Sequence, residues 1–439
     1  MRHYLRGRML HCRDLPGAPR FGAEYLEDGV LIIEDEHIVE LLPASEAQQQ
    51  GVPLEKCQSL GKRLLVPGFI DTHVHAYQLD VIASYGEQLL QWLHRYTFPA
   101  EMRMADPAFA EEVAAQFLQQ LLVNGTTSAL VFATTHKHAT DILFKAAAEL
   151  NMCLITGKTL MDRNAPPALL DTPESSYSDS LALIEKWHGK KRLHYAVTPR
   201  FAITSSPAQL RVAHTLVRQH RNLYVQTHLA ENRDEVAMVR KLFPDSRNYL
   251  DVYDRHGLCT DRAVFGHCLH LEDDEVARLR ETGGVLACCP TSNLFLGSGL
   301  FDWQRMRAAQ LTLSVGTDVG GGTSYSMLST LRELYKMTQL QGTTFSPLEG
   351  FYTITLGNAR ALKLQHRIGN LAAGSDADFV IIDPEADALI NRRVKAAHDI
   401  ADEWFVYMTL GDDRVISETW VAGKPLYKTD GAVVKGVAA

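Results

Sequence analysis

Asp71-Thr72-His73-Val74-His75 closes a short apolar run, and if that run is a strand, its period of two puts both imidazoles on one face, spaced to chelate one metal ion. Three further apolar runs end in residues of comparable chemistry: His228 after Tyr224-Val225-Gln226-Thr227, His267 after Val264-Phe265-Gly266, and Asp318 after Ser314-Val315-Gly316-Thr317. Three histidines and one aspartate make a closed set of nitrogen and oxygen donors around a single divalent ion, with room for a water whose pKa the ion lowers toward ~7. The implied reaction is hydrolytic. It also needs a carboxylate outside the donor set to move the proton, and Glu231, three residues beyond His228, is the candidate. Read singly, these residues have plainer accounts: His-x-His as a polar strand face, Glu231 as a solvated loop acid. Position in the fold separates the two readings.

The elements that would position them read as follows. From Gly29 to Leu42, two apolar runs separated by a charged turn predict a β-hairpin, followed by a strand near Arg63 to Val66. Past Pro67 short apolar runs alternate with amphipathic segments for about 300 residues, the βαβ pattern of a parallel sheet. Eight runs are candidate strands: Leu65 to Asp71, Thr126 to Phe132, Met152 to Gly157, Leu193 to Thr198, Leu223 to His228, Ala263 to His267, Val285 to Cys289 and Leu311 to Gly316. Eight units favour a closed α/β barrel, and no Gly-x-Gly-x-x-Gly turn supports an open doubly wound sheet. One helix is clear, capped by Asp106, carrying Phe109, Val113, Phe117 and Leu121 on one face and stopped at Asn124-Gly125. After the helical stretch Ser346 to Leu364, short β elements return at Gly374 to Pro384, Val415 to Val421 and Lys424 to Tyr427. Neither terminal part has a core of its own, so the two are expected to pair as one small β-sandwich: 1–66 and 367–439 flanking a (β/α)8 TIM barrel over 67–366.

Composition narrows the partners. The 439 residues are 46% hydrophobic and 22% charged, and 52 acids against 44 bases give a net charge of -8 with no block of like charges. That balance argues against nucleic-acid wrapping or a polybasic membrane contact and leaves a small molecule as the default ligand. Met1 to Arg20, with Arg2, Arg6, Arg8, Arg13 and Asp14, holds no continuous apolar stretch, which predicts neither a secretory signal nor a membrane helix there and a cytoplasmic protein. Seven widely spaced cysteines, an odd number, predict no disulfide framework; none has Cys-x-x-Cys spacing, so a metal is expected on other ligands.

With Pro67-Gly68-Phe69-Ile70-Asp71-Thr72-His73-Val74-His75 at the first strand, and His, His and Asp ending the fifth, sixth and eighth, the chain resembles the amidohydrolase superfamily over nearly its whole length. Longer strings resemble the guanine-deaminating branch: Tyr85-Gly86-Glu87-Gln88-Leu89-Leu90-Gln91-Trp92-Leu93, Met161-Asp162-Arg163-Asn164, Thr198-Pro199-Arg200-Phe201-Ala202 and Cys289-Pro290-Thr291-Ser292-Asn293-Leu294. The resemblance implies that His73, His75, His228 and Asp318 ligate the metal, zinc being expected at one ion per subunit with iron as the alternative. His267 becomes a neighbouring donor or occasional ligand and orients the nucleophile with Asp318, and Glu231 becomes the proton shuttle. The substrate contacts fall on Gln78, Arg200 and Phe201, with His228 and Glu231 also reaching the substrate. Arg can donate to guanine O6 and N7, and Phe can stack on the ring. Water would then attack C2, giving xanthine and ammonia in purine catabolism. A homodimer is the implied assembly, and Ala76 to Glu101 a loop serving as wall or lid. At Asn358 a second glycine is frequent in such proteins, and the change is expected to touch packing only.

The nearest rival is the same fold acting on another heterocycle: 8-oxoguanine, a triazine or a purine nucleoside. A two-metal cyclic amidase needs a lysine at the fourth strand's end, which Tyr195 to Arg200 lacks; Lys158 lies one strand early and reads as hydrogen-bonding or solvent-facing. A cytidine-type deaminase needs a Pro-Cys-x-x-Cys motif that is absent. An inactive binding homologue would normally have lost a ligand or the shuttle acid, and this chain keeps them all.

Overall fold

The computed structural model describes residues 2–13 and 21–429. Its strands are, in chain order, β1 (Arg2–Cys12), β2 (Ala23–Glu34), β3 (His37–Pro43), β4 (Gln58–Pro67), β5 (Phe69–His75), β6 (Thr126–Phe132), β7 (Cys153–Gly157), the two-residue β8 (Thr159–Leu160), β9 (Leu193–Pro199), β10 (Tyr224–Leu229), β11 (Ala263–His267), β12 (Val285–Cys288), β13 (Thr312–Val315), β14 (Phe379–Ile382), β15 (Ile416–Val421) and β16 (Lys424–Lys428). Eight of them pair in the parallel order β5-β6-β7-β9-β10-β11-β12-β13, with β8 an extension beside β9. β5 and β6 are buried at every position, which is why they read as unbroken apolar runs rather than as an alternation.

The barrel closes between β5 and β13 through individual bonds rather than a regular ladder. Thr72 Oγ1 donates to Val315 O at 3.0 Å, Asp318 N to His73 O at 2.8 Å, and His75 N to Val319 O at 2.8 Å. Asn358 bridges the same gap. Its Nδ2 donates to Ile70 O at 2.6 Å and Val315 O at 2.9 Å, while Val315 N donates to its Oδ1 at 3.0 Å. A glycine has no side chain for those three bonds, so this residue fastens the barrel instead of merely packing against it.

Two sequence expectations shift here. The first barrel strand begins at Phe69, four residues later than the apolar run suggests, because Leu64 to Pro67 belongs to β4 and pairs antiparallel with β14. Gly68 is the joint between the two sheets. A Cβ there would stand 2.1 Å from Thr127 Oγ1, so only glycine lets the chain cross at this point. The segment after β5 is largely helical rather than loop, running through Leu89–Trp92, Leu93–Thr97 and Phe98–Met102. The helix Pro107–Val123 forms as expected, with Asp106 accepting from Ala108 N at 3.0 Å and Val113, Phe117 and Leu121 buried.

Both chain ends join in one seven-stranded mixed sheet, ordered β16-β15-β14-β4-β1-β2-β3. Alternation assigns its two faces. Leu65, Phe379 and Ile381 pack with Leu5, Leu31 and Trp420, while Leu64, Val66, Val380 and Ile382 turn to the core shared with the barrel. β1 has no counterpart among the sequence expectations, because its arginines hide the alternation; Arg6 is taken up by Asp28 at 2.7 Å and Arg8 by Glu403. Asp14 to Arg20 of the opening stretch lie outside the described residues. No helix among the described residues is long and apolar enough to cross a membrane.

His194, near the start of β9, generates a test. Burial, and then the positive neighbours His188 and Arg367, bring its imidazole down to about 4 from an ordinary 6.5, and its Nε2 has no hydrogen-bond partner. Between those values the unfolded chain binds a proton that the native protein refuses. Stability should therefore fall as pH drops from about 6.5 toward 4, by up to about 1.4 kcal/mol per pH unit for this group. Urea unfolding across that range should give a shallower slope for His194→Gln than for the wild type; equal slopes would remove the assignment.

Candidate active site

The strand ends bring the predicted donors to one point. His73 Nε2 and His75 Nε2 lie 3.3 and 3.2 Å from Asp318 Oδ1, and His228 Nε2 lies 3.3 Å from His75 Nε2. The ligand atoms of His73, His75, His228 and Asp318 all fall within 4.8 Å of one another, and all four residues are buried. Both ring nitrogens of His73, Nδ1 of His75 and Nε2 of His267 have no hydrogen-bond partner. Buried polar atoms left unsatisfied cost roughly 1–3 kcal/mol each, and a divalent cation satisfies several of them together. The donor set therefore fits a metal ion.

Outer contacts fix which nitrogen faces inward. His228 Nδ1 donates to Arg200 O at 2.7 Å and His267 Nδ1 to Asn293 Oδ1 at 2.9 Å, leaving each Nε2 lone pair aimed at the cluster. Asp71 does not join the donors. Its Oδ1 accepts from His73 N and Thr317 N, both at 3.1 Å, and its Oδ2 from Thr317 Oγ1 at 2.5 Å, tying the loop that carries Asp318 to β5. His267 and Asp318 hold φ values of 70° and 51°, left-handed conformations that cost about 1 kcal/mol or more each outside glycine and that the surrounding bonds maintain.

The titrating groups are driven apart. Burial, opposed only in part by Asp318, brings His75 down to about 4, and burial with His73 and His75 holds His228 well below its ordinary value; both are neutral, as ligation requires. Burial works to raise Asp318, but the imidazoles of His267 and His73 outweigh it and hold the carboxyl well below the usual range. Glu231 goes the other way, pushed well above by burial and by the charges of Asp318 and Glu235. One carboxylate thus stays ionised while another, next to it, can hold a proton. Glu231 is no solvated loop acid: it is 3% exposed, with Oε2 3.3 Å from His267 Nε2 and Oε1 accepting from Ser298 Oγ at 3.4 Å.

A cavity opens over the cluster. His75, His228, Glu231, His267 and Asp318 form one side and Gln78, Arg200 and Phe201 another, with Leu89, Trp92 and Leu93 of the helical segment after β5 completing the wall. His73 lies beneath. Every site residue expected from the sequence is therefore in or directly under one cavity. Two features were not legible beforehand. Glu101 is wholly buried and accepts from both Gln78 and Arg200. Cys289, set aside on spacing, offers its sulfur beside His73, His267 and Asp318 as a second four-donor group, although burial raises its thiol well above the ordinary value. Of the two readings of Lys158, hydrogen-bonding and solvent-facing, the first holds: it is 1% exposed and paired with Asp171.

The amidohydrolase family model matches residues 64–426, and the chain belongs to that family. Guanine deaminase of Escherichia coli strain K12 is 48% identical over 404 residues, 92% of each chain. The solved structure of E. coli guanine deaminase superposes with a TM-score of 0.95 at 45% identity, covering 97% of this chain and all of the other. A guanine deaminase from C. acetobutylicum, solved with guanine bound in its active site, gives 0.88 at 26% identity over 97% of this chain and 100% of its own.

Two glycines make room for His73. A Cβ on Gly266 would stand 2.5 Å from His73 Cε1, and one on Gly316 2.6 Å from His73 Cβ and 2.7 Å from its backbone N and O. Gly266→Ala should displace only the ring, lowering bound metal per subunit while the thermal midpoint moves little. Gly316→Ala meets backbone and should also cost about 1–3 kcal/mol in unfolding free energy. Full metal occupancy in both, measured by elemental analysis, would contradict this account.

Proposed function

We propose that the protein catalyses the hydrolytic deamination of guanine to xanthine and ammonia, with one zinc ion per subunit. The observation that carries the reading is a single cavity lined by a cluster able to hold a metal, by the protonatable carboxyl of Glu231, and by Gln78, Arg200 and Phe201, whose donors and ring suit a purine. The likeness to guanine deaminases across nine-tenths of the chain supports the same substrate. Zinc suits the three imidazoles and one carboxylate, and when bound it supplies the positive charge that makes a water nucleophilic near neutral pH.

The chain's own residues do the rest. Arg200 and Gln78 present N–H donors to the oxygen and ring-nitrogen edge of the base, and Phe201 packs on its face, so that C2 is turned toward the donor cluster. Glu231 takes the proton that the attacking water gives up and passes it to the ring nitrogen next to C2. As the new C–O bond forms, the ring N–C2 double bond opens; Glu231 then takes the proton of the new C2 hydroxyl and hands it to the exocyclic amine, so that C2=O forms as the C2–N bond breaks and ammonia leaves. His267, anchored by Asn293, and Asp318 hold the water's remaining hydrogen bonds and fix its line of attack. The walls from Leu89, Trp92 and Leu93 keep bulk water from the base.

Ammonia release should be observed with guanine, and not at comparable rates with 8-oxoguanine, ammeline or a purine nucleoside. Glu231→Gln should lower kcat by about 10²–10⁴-fold with little change in substrate affinity. Stripping the metal with a chelator should abolish turnover, and zinc should restore it. Turnover of another heterocycle with guanine inert would overturn the substrate while leaving the hydrolytic chemistry in place.

A further inference from the structure

Glu101, on the short helix Phe98–Met102, takes no part in the steps above, yet it is fully buried behind the cavity wall. Its Oε1 accepts from Gln78 Nε2 at 2.8 Å and from Arg200 Nη1 at 2.8 Å, and its Oε2 accepts from the same Nη1 at 3.0 Å. One carboxylate therefore holds both polar side chains that face the base. The far sides of those two are fixed as well: Gly320 N donates to Gln78 Oε1 at 3.2 Å, and the Phe98 ring lies 5.5 Å from the Arg200 guanidinium carbon. Arg200 Nε and Nη2 keep no hydrogen bond to any described residue, so those N–H groups are free for a ligand.

The charges matter as much as the geometry. Arg200 and Glu101 are 3% and 1% exposed at the side chain, and a guanidinium buried without a counter-charge would be a strong anion trap. Paired, it still donates hydrogen bonds but brings no net charge to the base-binding edge. Guanine is uncharged near neutral pH. Its hydrolysis product, with the amino group replaced by a second ring carbonyl and N–H, gives up a proton more readily and becomes anionic.

We propose that Glu101 is a positioning and specificity residue, which orients Gln78 and Arg200 and cancels the charge of Arg200, so that the cavity favours the neutral aminopurine over an anionic oxopurine. This deepens, and rests on, the guanine reading. Product then leaves without an electrostatic hold on it.

The test compares zinc-loaded wild type, Glu101→Gln and Arg200→Gln. It measures KM and kcat for guanine, the inhibition constant of xanthine above and below xanthine's own ionisation, and xanthine binding to the metal-stripped proteins by calorimetry. Glu101→Gln should raise KM for guanine about tenfold while the xanthine anion binds as well as before or better, moving the ratio of the two constants by at least about tenfold. Arg200→Gln leaves an uncompensated carboxylate and should move that ratio the opposite way. A purely structural Glu101 would weaken both ligands by one factor, and that result, or a ratio moving the same way in both variants, overturns the proposal. Should Glu101→Gln fail to fold, the direction of the Arg200→Gln ratio decides. Failure of wild type to turn over guanine would sink the substrate reading itself, whereas turnover with an unmoved ratio sinks only the role of Glu101.

Discussion

The seam between β5 and β13 is the constraint on which the site depends. Asp318 N donates to His73 O and His75 N to Val319 O, so the first and last barrel strands are stitched together at residues of the candidate donor cluster. Asp71 adds bonds from Thr317 across the same gap, and Asn358 fastens it from below. A barrel that did not close here would leave two imidazoles on one edge and their carboxylate on the other. Because both strands start and end at fixed register within the parallel sheet, closure and assembly of the donor cluster are a single event.

That convergence is costly by itself. Imidazole nitrogens without partners, two non-glycine residues in left-handed conformations and a carboxyl pushed toward its protonated form are all destabilising in the folded chain. They persist because the surroundings over-determine them: nearly continuous burial of the strands, outer hydrogen bonds from Asn293 and the Arg200 carbonyl, and glycines at 266 and 316 that yield their volume to His73. The terminal sheet, by contrast, sorts its faces into two apolar layers. The segment after β5 links the two concerns, since it supplies both the apolar cavity wall and Glu101, the carboxylate that accepts from Gln78 and Arg200 of the cavity lining.

The sequence by itself determined the eight barrel strands, the helix from Pro107 and the candidate donors at the strand ends, because parallel buried strands are apolar runs and a histidine or aspartate closing one stands out. It also put Glu231 three residues beyond His228, beside the donor cluster. It placed a strand near Arg63 to Val66 but let the next begin at Leu65, because one apolar run feeds two sheets and the break is a glycine whose need is visible only against Thr127. β1 escaped because arginines with distant partners broke its alternation. Only the tertiary structure decided that Glu101 serves Gln78 and Arg200, that Asn358 bridges the seam, that Cys289 reaches the donor cluster and that Lys158 is buried. Local pattern records whether a residue is buried and on which face, whereas a partner 99 positions away in the chain, as Glu101 is from Arg200, is set by barrel closure and leaves no local trace.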